Sequence, residues 1–270
     1  MEDIWNNISK FVTNNKDKCR LMMTCKWMSH FKFYDPEPLF KILNLKWFDN
    51  FVYVIVDKKM KLPLYITNLE FGNHFNEPLD DYIPSTVVHL DLGDAFNQSI
   101  NNCIPSSVTH LILSESFNQP INIPPSVTHI LFGDNFNQDI IIPSTVVEIG
   151  FGCDFNKHVD IPSSIIFLIF GESFNQPIDI PSSVTRLIFD DEFNQPINIP
   201  TTLSSLVFGD KFNQPITFNG PINNVEFGAF FNQPIIGLHH IANLKLSQYY
   251  DWPKFFHFGP TNIEITMRHY

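Results

Sequence analysis

Along most of the chain an aliphatic side chain returns on a fixed beat. Leu69, Leu90, Leu111, Ile130, Ile149, Leu168, Leu187, Leu206 and Val225 each stand six residues before a Phe-Asn pair. The pairs begin at Phe75, Phe96, Phe117, Phe136, Phe155, Phe174, Phe193, Phe212 and Phe231; the first two steps are 21 residues long and the later ones 19. The aliphatic column runs on to Leu244 and Ile263 after Phe-Asn is lost. Within one unit, for example Val108 to Pro124, the alternation V-x-x-L-x-L predicts a short half-buried strand. The return to the next strand holds only about nine residues, with a proline near each end. That is too short and too interrupted for a helix, so an extended or 3₁₀ return is predicted. Glycine usually follows the strand (Gly72, Gly93, Gly133, Gly152, Gly171, Gly209, Gly228). A sharp turn with positive φ is expected there.

One such unit cannot cover its own apolar face, whereas a stack shares a continuous core. The sequence therefore predicts a parallel solenoid of about eleven short rungs, the last two degenerate and capping. Rungs joined by parallel ladders lie about 4.8 Å apart, so like residues stack in columns. Phe117, Phe136, Phe155, Phe174, Phe193 and Phe212 form an aromatic column. Asn118, Asn137, Asn156, Asn175, Asn194 and Asn213 form an amide ladder that satisfies backbone groups in the turns. Phe-Asn is thus read as structural.

The first 46 residues do not repeat. Ile4, Ile8, Phe11 and Val12 follow a helical spacing, and Leu21, Cys25 and Met28 belong to a second apolar stretch after Asp17, a plausible N-cap. The fold class expected is α+β: a small N-terminal helical segment (1–46), a connector and N-terminal solenoid cap (47–66), the repeats (67–235), then degenerate repeats and a C-terminal cap (236–270).

Composition narrows the function. The chain has 270 residues, 44% of them hydrophobic and 28 of them Phe, enough for a real core. Its net charge is −11 with no long basic run, which argues against nucleic-acid binding. No apolar run approaches the ~20 residues of a membrane span, and the start lacks the charged and apolar regions of a signal peptide. The four cysteines show no paired zinc spacing, so a reduced, intracellular protein of the host or cell cytoplasm is expected. No phosphate loop, nucleophile elbow, HExxH or Cys-His set is found. No catalytic, cofactor or metal site is expected, and the protein is read as a non-enzyme.

Residues flanking the core column face outward. One flank includes His89, His110, His129, Phe167 and Arg186; the other includes Ile112, Leu131, Ile169, Ile188 and Val207. An apolar middle on a solvent-facing sheet marks a contact surface, unless an N-terminal segment, the C-terminus or a second molecule covers it. Parallel histidines in register do not converge on one point, so a polar binding face or plain solvated surface is favoured over a metal site. An acidic row, Asp94, Glu115, Asp134, Glu172, Asp191 and Asp210, is read as a solvated turn edge able to steer a basic partner.

Two resemblances follow. Units such as "FNQPINIP" resemble FNIP repeats, related in form to leucine-rich repeats, over about residues 67 to 235; "FNKHV" at Phe155 and "FNG" at Phe218 depart from the pattern. The stretch containing Ile4, Ile8, Phe11, Val12, Asp17, Cys19, Arg20, Leu21 and Cys25 resembles an F-box. An F-box beside FNIP repeats is a pairing known from amoebae and giant DNA viruses. This resemblance implies docking on a Skp1-like adaptor through Ile4, Ile8, Phe11, Val12, Leu21, Cys25 and Met28. It implies entry into a cullin ubiquitin ligase, with the repeats holding an unknown protein substrate. The alternative is an interaction scaffold whose N-terminal helices only cap the solenoid.

Overall fold

The computed structural model describes residues 32–45, 48–247 and 262–266. The F-box-like residues Ile4 to Met28 lie outside the described residues. What is described is a parallel β-solenoid with little helix: one turn, α1 (Leu39–Ile42), and two 3₁₀ turns (Phe48–Asn50, Leu238–His240). The α+β label therefore has no support among the described residues.

Thirteen strands form one sheet in which every pairing is parallel and neighbours follow chain order, apart from two small strands on the return side. The eleven expected rungs supply β3 (Asn68–Phe71), β4 (His89–Asp91), β5 (His110–Ile112), β6 (His129–Leu131), β7 (Glu148–Gly150), β8 (Phe167–Phe170), β9 (Arg186–Phe189), β10 (Ser205–Val207), β12 (Ile222–Glu226), β14 (Ile241–Ser247) and β15 (Asn262–Thr266). Ahead of them the sheet gains β1 (Glu37–Pro38) and β2 (Tyr53–Val56). On the return side β11 (Ile216–Thr217) pairs with β13 (Ile235–Ile236). Register is column-perfect: Leu69 pairs with Leu90, Leu90 with Leu111, Leu111 with Ile130, and so on to Leu244 with Ile263. A one-residue slip would turn this aliphatic column to the solvent, which is what fixes the register.

Most returns are built from two tight turns. The Phe N–H donates to the carbonyl three residues back, as Phe174 does to Gly171 at 3.2 Å. The residue after Pro-Ser-Ser does the same, as Val184 to Pro181 at 3.1 Å. The two longer rungs carry a third turn, Leu79 to Tyr82 and Ile100 to Cys103. Its left-handed corner is Asp81 in one (φ 51°) and Asn102 in the other (φ 64°), residue types that tolerate αL. The two extra residues per rung are thus spent on a turn.

The glycine column has a different cause from the one the sequence suggested. Only Gly93 within it has positive φ. At Gly152 an added Cβ would lie 2.2 Å from the Gly133 carbonyl oxygen, and at Gly171 2.3 Å from that of Gly152. Glycine is needed because successive backbones touch there. Ser114 and Asp190 occupy two places in this column; Ser114 is buried, with its hydroxyl on the Phe96 carbonyl at 2.7 Å.

Two Phe columns fill the core. Rings of the Phe-Asn column lie 5.9 to 6.5 Å apart and within 10° of parallel. A second column, Phe132, Phe151, Phe170, Phe189, Phe208 and Phe227, has centroids 5.2 to 5.7 Å apart. On the outer face of the sheet His89, His110 and His129 stack at 4.3 Å. Spacing thus grows with depth behind the sheet. The rungs fan, and the solenoid curves with its strand face on the inside.

Candidate functional site

The inner face of the curve carries a groove of about 370 Å³ over β2 to β7. Its walls are the two outward columns. One holds Tyr53, Asn68, His89, His110, His129 and Glu148; the other holds Glu70, Asp91, Ile112 and Leu131. Strand alternation puts both columns outside while Leu69, Leu90, Leu111 and Ile130 point into the core at 1% exposure each.

The histidine rings are parallel within 27° and 6°. Threonines one residue before hold two of them: Thr109 Oγ1 lies 2.8 Å from His110 Nδ1, and Thr128 Oγ1 2.8 Å from His129 Nδ1. Stacked in this way their nitrogens do not converge on one point, and among the described residues no cluster of three metal-ligating side chains is present. His129 Nε2 stands 4.0 Å from Glu148 Oε2, an ion pair only when the ring is protonated.

Burial holds the His110 imidazole below its ordinary 6.5, helped by His89 and His129 on either side; Glu148 acts in the opposite direction. A histidine with a depressed folded pKa binds fewer protons folded than unfolded, so its contribution is complete above pH 6.5 and falls as pH drops below it. Denaturant midpoints measured at pH 7.5 and 5.5 are expected to show lower stability at 5.5. The difference should shrink in His110→Asn. An equal difference in the variant would remove the stack as its source.

Ile112 and Leu131 are 41% and 49% exposed. The next rung has Gly150 in this column, and a Cβ there would come 2.8 Å from Leu131 Cδ2; the leucine leans over the gap. Farther along, Ile169, Ile188 and Val207 are half-buried. The Arg186 guanidinium lies over the Phe167 ring at 4.4 Å, a cation–π contact. All the outward residues expected from the alternation thus fall on one curved face. The acidic row, by contrast, is partly structural: Asp191 Oδ1 accepts the Asp210 N–H at 3.2 Å, and Asp210 Oδ1 the Ala229 N–H at 2.9 Å. Cys153 stands where this row lacks a carboxylate, between Asp134 and Glu172, and donates to Asp134 at 3.2 Å, which raises its pKa and makes it a poor nucleophile.

Sequence reasoning missed three members of the groove. Tyr53 sits on β2, before the repeats begin, and donates its hydroxyl to Glu70 Oε2 at 2.7 Å; burial and Glu70 push its pKa up to about 12. Glu70 and Asp91 stand in the same outward column as Ile112 and Leu131, without the apolar character that singled those two out. The signal was their position ahead of Ile112 in one column.

The model of the FNIP repeat matches residues 58–95, 96–123, 117–154, 155–192, 174–199 and 193–220, together more than half of the chain. A solved structure described as that of CroV588, a novel circular LRR protein, is 27% identical, with a TM-score of 0.62 over 80% of this chain and 43% of that one. The chain thus spans less than half the length of that protein. No curated protein matches. Among the described residues no helix is long and apolar enough to cross a membrane.

Proposed function

Because the chain belongs to the FNIP-repeat family, a leucine-rich-repeat-like solenoid with one sheet face left open, we propose that this face holds a protein target and that residues 1–46 deliver it to a Skp1–cullin ubiquitin ligase. The observation that carries the binding half is the open apolar column. Two large aliphatic side chains stay about half exposed on a concave surface lined by ordered polar groups, the usual mark of a contact site. The ligase half is supported by the F-box-like spacing of Ile4, Ile8, Phe11, Val12 and Leu21. A helix face in an apolar groove needs only such anchors. On this reading the chain performs no chemistry; a separate conjugating enzyme transfers ubiquitin.

Full-length protein and two full-length variants separate the halves. Ile8→Asp should abolish binding to a purified Skp1-type adaptor while leaving target capture intact. Leu131→Asp should do the reverse, lowering target binding by about 2 kcal/mol or more, as for a desolvated interface anchor. Wild-type protein that ignores the adaptor at micromolar concentration would reduce the function to a scaffold whose N-terminus caps the solenoid.

A further inference from the structure

The charge of this chain is not spread evenly. From residue 62 to residue 156 there is no Lys or Arg and there are 11 Asp and Glu. The remaining 17 acidic residues equal the 17 basic ones of the whole chain, so this stretch carries the entire net charge of −11. It folds into β3 to β7, which form all of the groove but its Tyr53 end on β2.

Within the groove the charge is focused. Glu70 and Asp91 are direct partners across β3 and β4. Glu70 takes the Tyr53 hydroxyl and Asp91 Oδ1 takes the Gly93 N–H at 2.9 Å, but among the described residues neither meets a Lys or Arg. At the far end of the same column the equivalent carboxylate, Glu226, has its cation: Lys245 Nζ at 2.6 Å. Asp91 pays for the omission. Burial raises its pKa, and Glu70 and Asp94 raise it further against the Gly93 N–H. Two half-buried like charges in register are unfavourable unless something positive joins them.

Resting on the protein-binding reading of this face, we propose that the groove recognises a target segment in which a Lys or Arg lies a few residues from an aliphatic or aromatic residue. The basic side chain sits between Glu70 and Asp91, and the apolar one on Ile112 and Leu131. The centres of these two pairs are two rungs apart, roughly 10 Å, which is about three residues of extended chain. The basic group completes the ion pairs that Glu70 and Asp91 lack, while the apolar group covers the exposed aliphatics. The surrounding negative field speeds encounter with a basic segment and repels an acidic one. Nucleic acid would meet the same repulsion.

The test is selection of phage-displayed random dodecapeptides on the full-length protein, followed by affinity measurement of the winners on variants. The expected winners carry Lys or Arg about three residues from an apolar residue, on either side. They should lose about tenfold or more in affinity on Glu70→Gln/Asp91→Asn, as expected for charged hydrogen bonds, and should weaken as salt is raised. Asp91→Asn keeps the acceptor for Gly93, so its thermal midpoint should match or exceed that of the wild type; folding then does not explain the loss. Winners without a basic residue, or winners indifferent to Glu70→Gln/Asp91→Asn but lost on Leu131→Asp, would overturn the partner class while leaving the protein-binding face in place. Winners indifferent to all three substitutions, or no winners, would overturn both.

Discussion

Phe174→Ala is expected to cost about 3–5 kcal/mol, the range for a buried aromatic truncated in a core that cannot collapse. Phe174 is 1% exposed. It lies 6.1 Å from Phe155 below, 6.1 Å from Phe193 above and 3.8 Å from Phe170 beside it, all nearly parallel. Collapse is resisted because strand pairing on both sides fixes the spacing of the rungs. The second column is a useful contrast. There Leu92 and Leu113 already replace Phe in two rungs and are fully buried, so Phe170→Leu should cost only about 1–2 kcal/mol. The Phe-Asn column has Phe in all nine rungs. In a solenoid each rung leans only on its neighbours, so Phe174→Ala should expose the amides of β7 to β9 to hydrogen exchange first. Phe174→Leu should cost more than Phe170→Leu; equal losses for these two would mean that the columns are interchangeable, contrary to the geometry.

Much of this was legible in the sequence because a repeat displays its physics nine times. The period fixed the rungs, the alternation fixed inside and outside, and Phe-Asn fixed two of the stacking columns. What escaped was contact across rungs, which no single unit displays. Gly152 looks like a turn residue in its own rung; only beside Gly133 does the backbone contact emerge. The Phe spacing, expected near that of the strand ladder, proved wider because the rungs fan behind the sheet. Tyr53 carries no repeat signature and entered the groove through pairing of β2 with β3. The groove was half visible: its histidines and aliphatics were found by alternation, whereas the importance of Glu70 and Asp91 rests on the absence of a neighbouring Lys or Arg among the described residues. The F-box-like residues fall outside the described part of the chain, so for them the sequence remains the whole argument.

Gln is the letter of "FNQ" that the sequence left unexplained, and the amide ladder gives it a measurable role. Each ladder Asn Oδ1 accepts the N–H of the Asn in the next rung, from Asn97 on Asn76 at 2.9 Å to Asn232 on Asn213 at 2.9 Å. In most rungs it accepts a second bond from the next Gln: Gln176 Nε2 reaches Asn156 at 2.9 Å. Asn137 differs. It accepts the Asn156 N–H at 3.1 Å, but Lys157 stands where the Gln would be. Asn156→Ala therefore strands two half-buried donors, Asn137→Ala one. At about 1 kcal/mol for each lost bond, the first should cost about 2 kcal/mol and the second about 1. Lys157→Gln supplies the missing amide and should stabilise the wild type by about 0.5–1 kcal/mol, yet give nothing in an Asn137→Ala background. That double-mutant cycle isolates the Gln–Asn bond from any general effect of removing a lysine. A coupling of zero in urea titrations would reduce the Gln to a surface residue and leave the ladder to the asparagines alone.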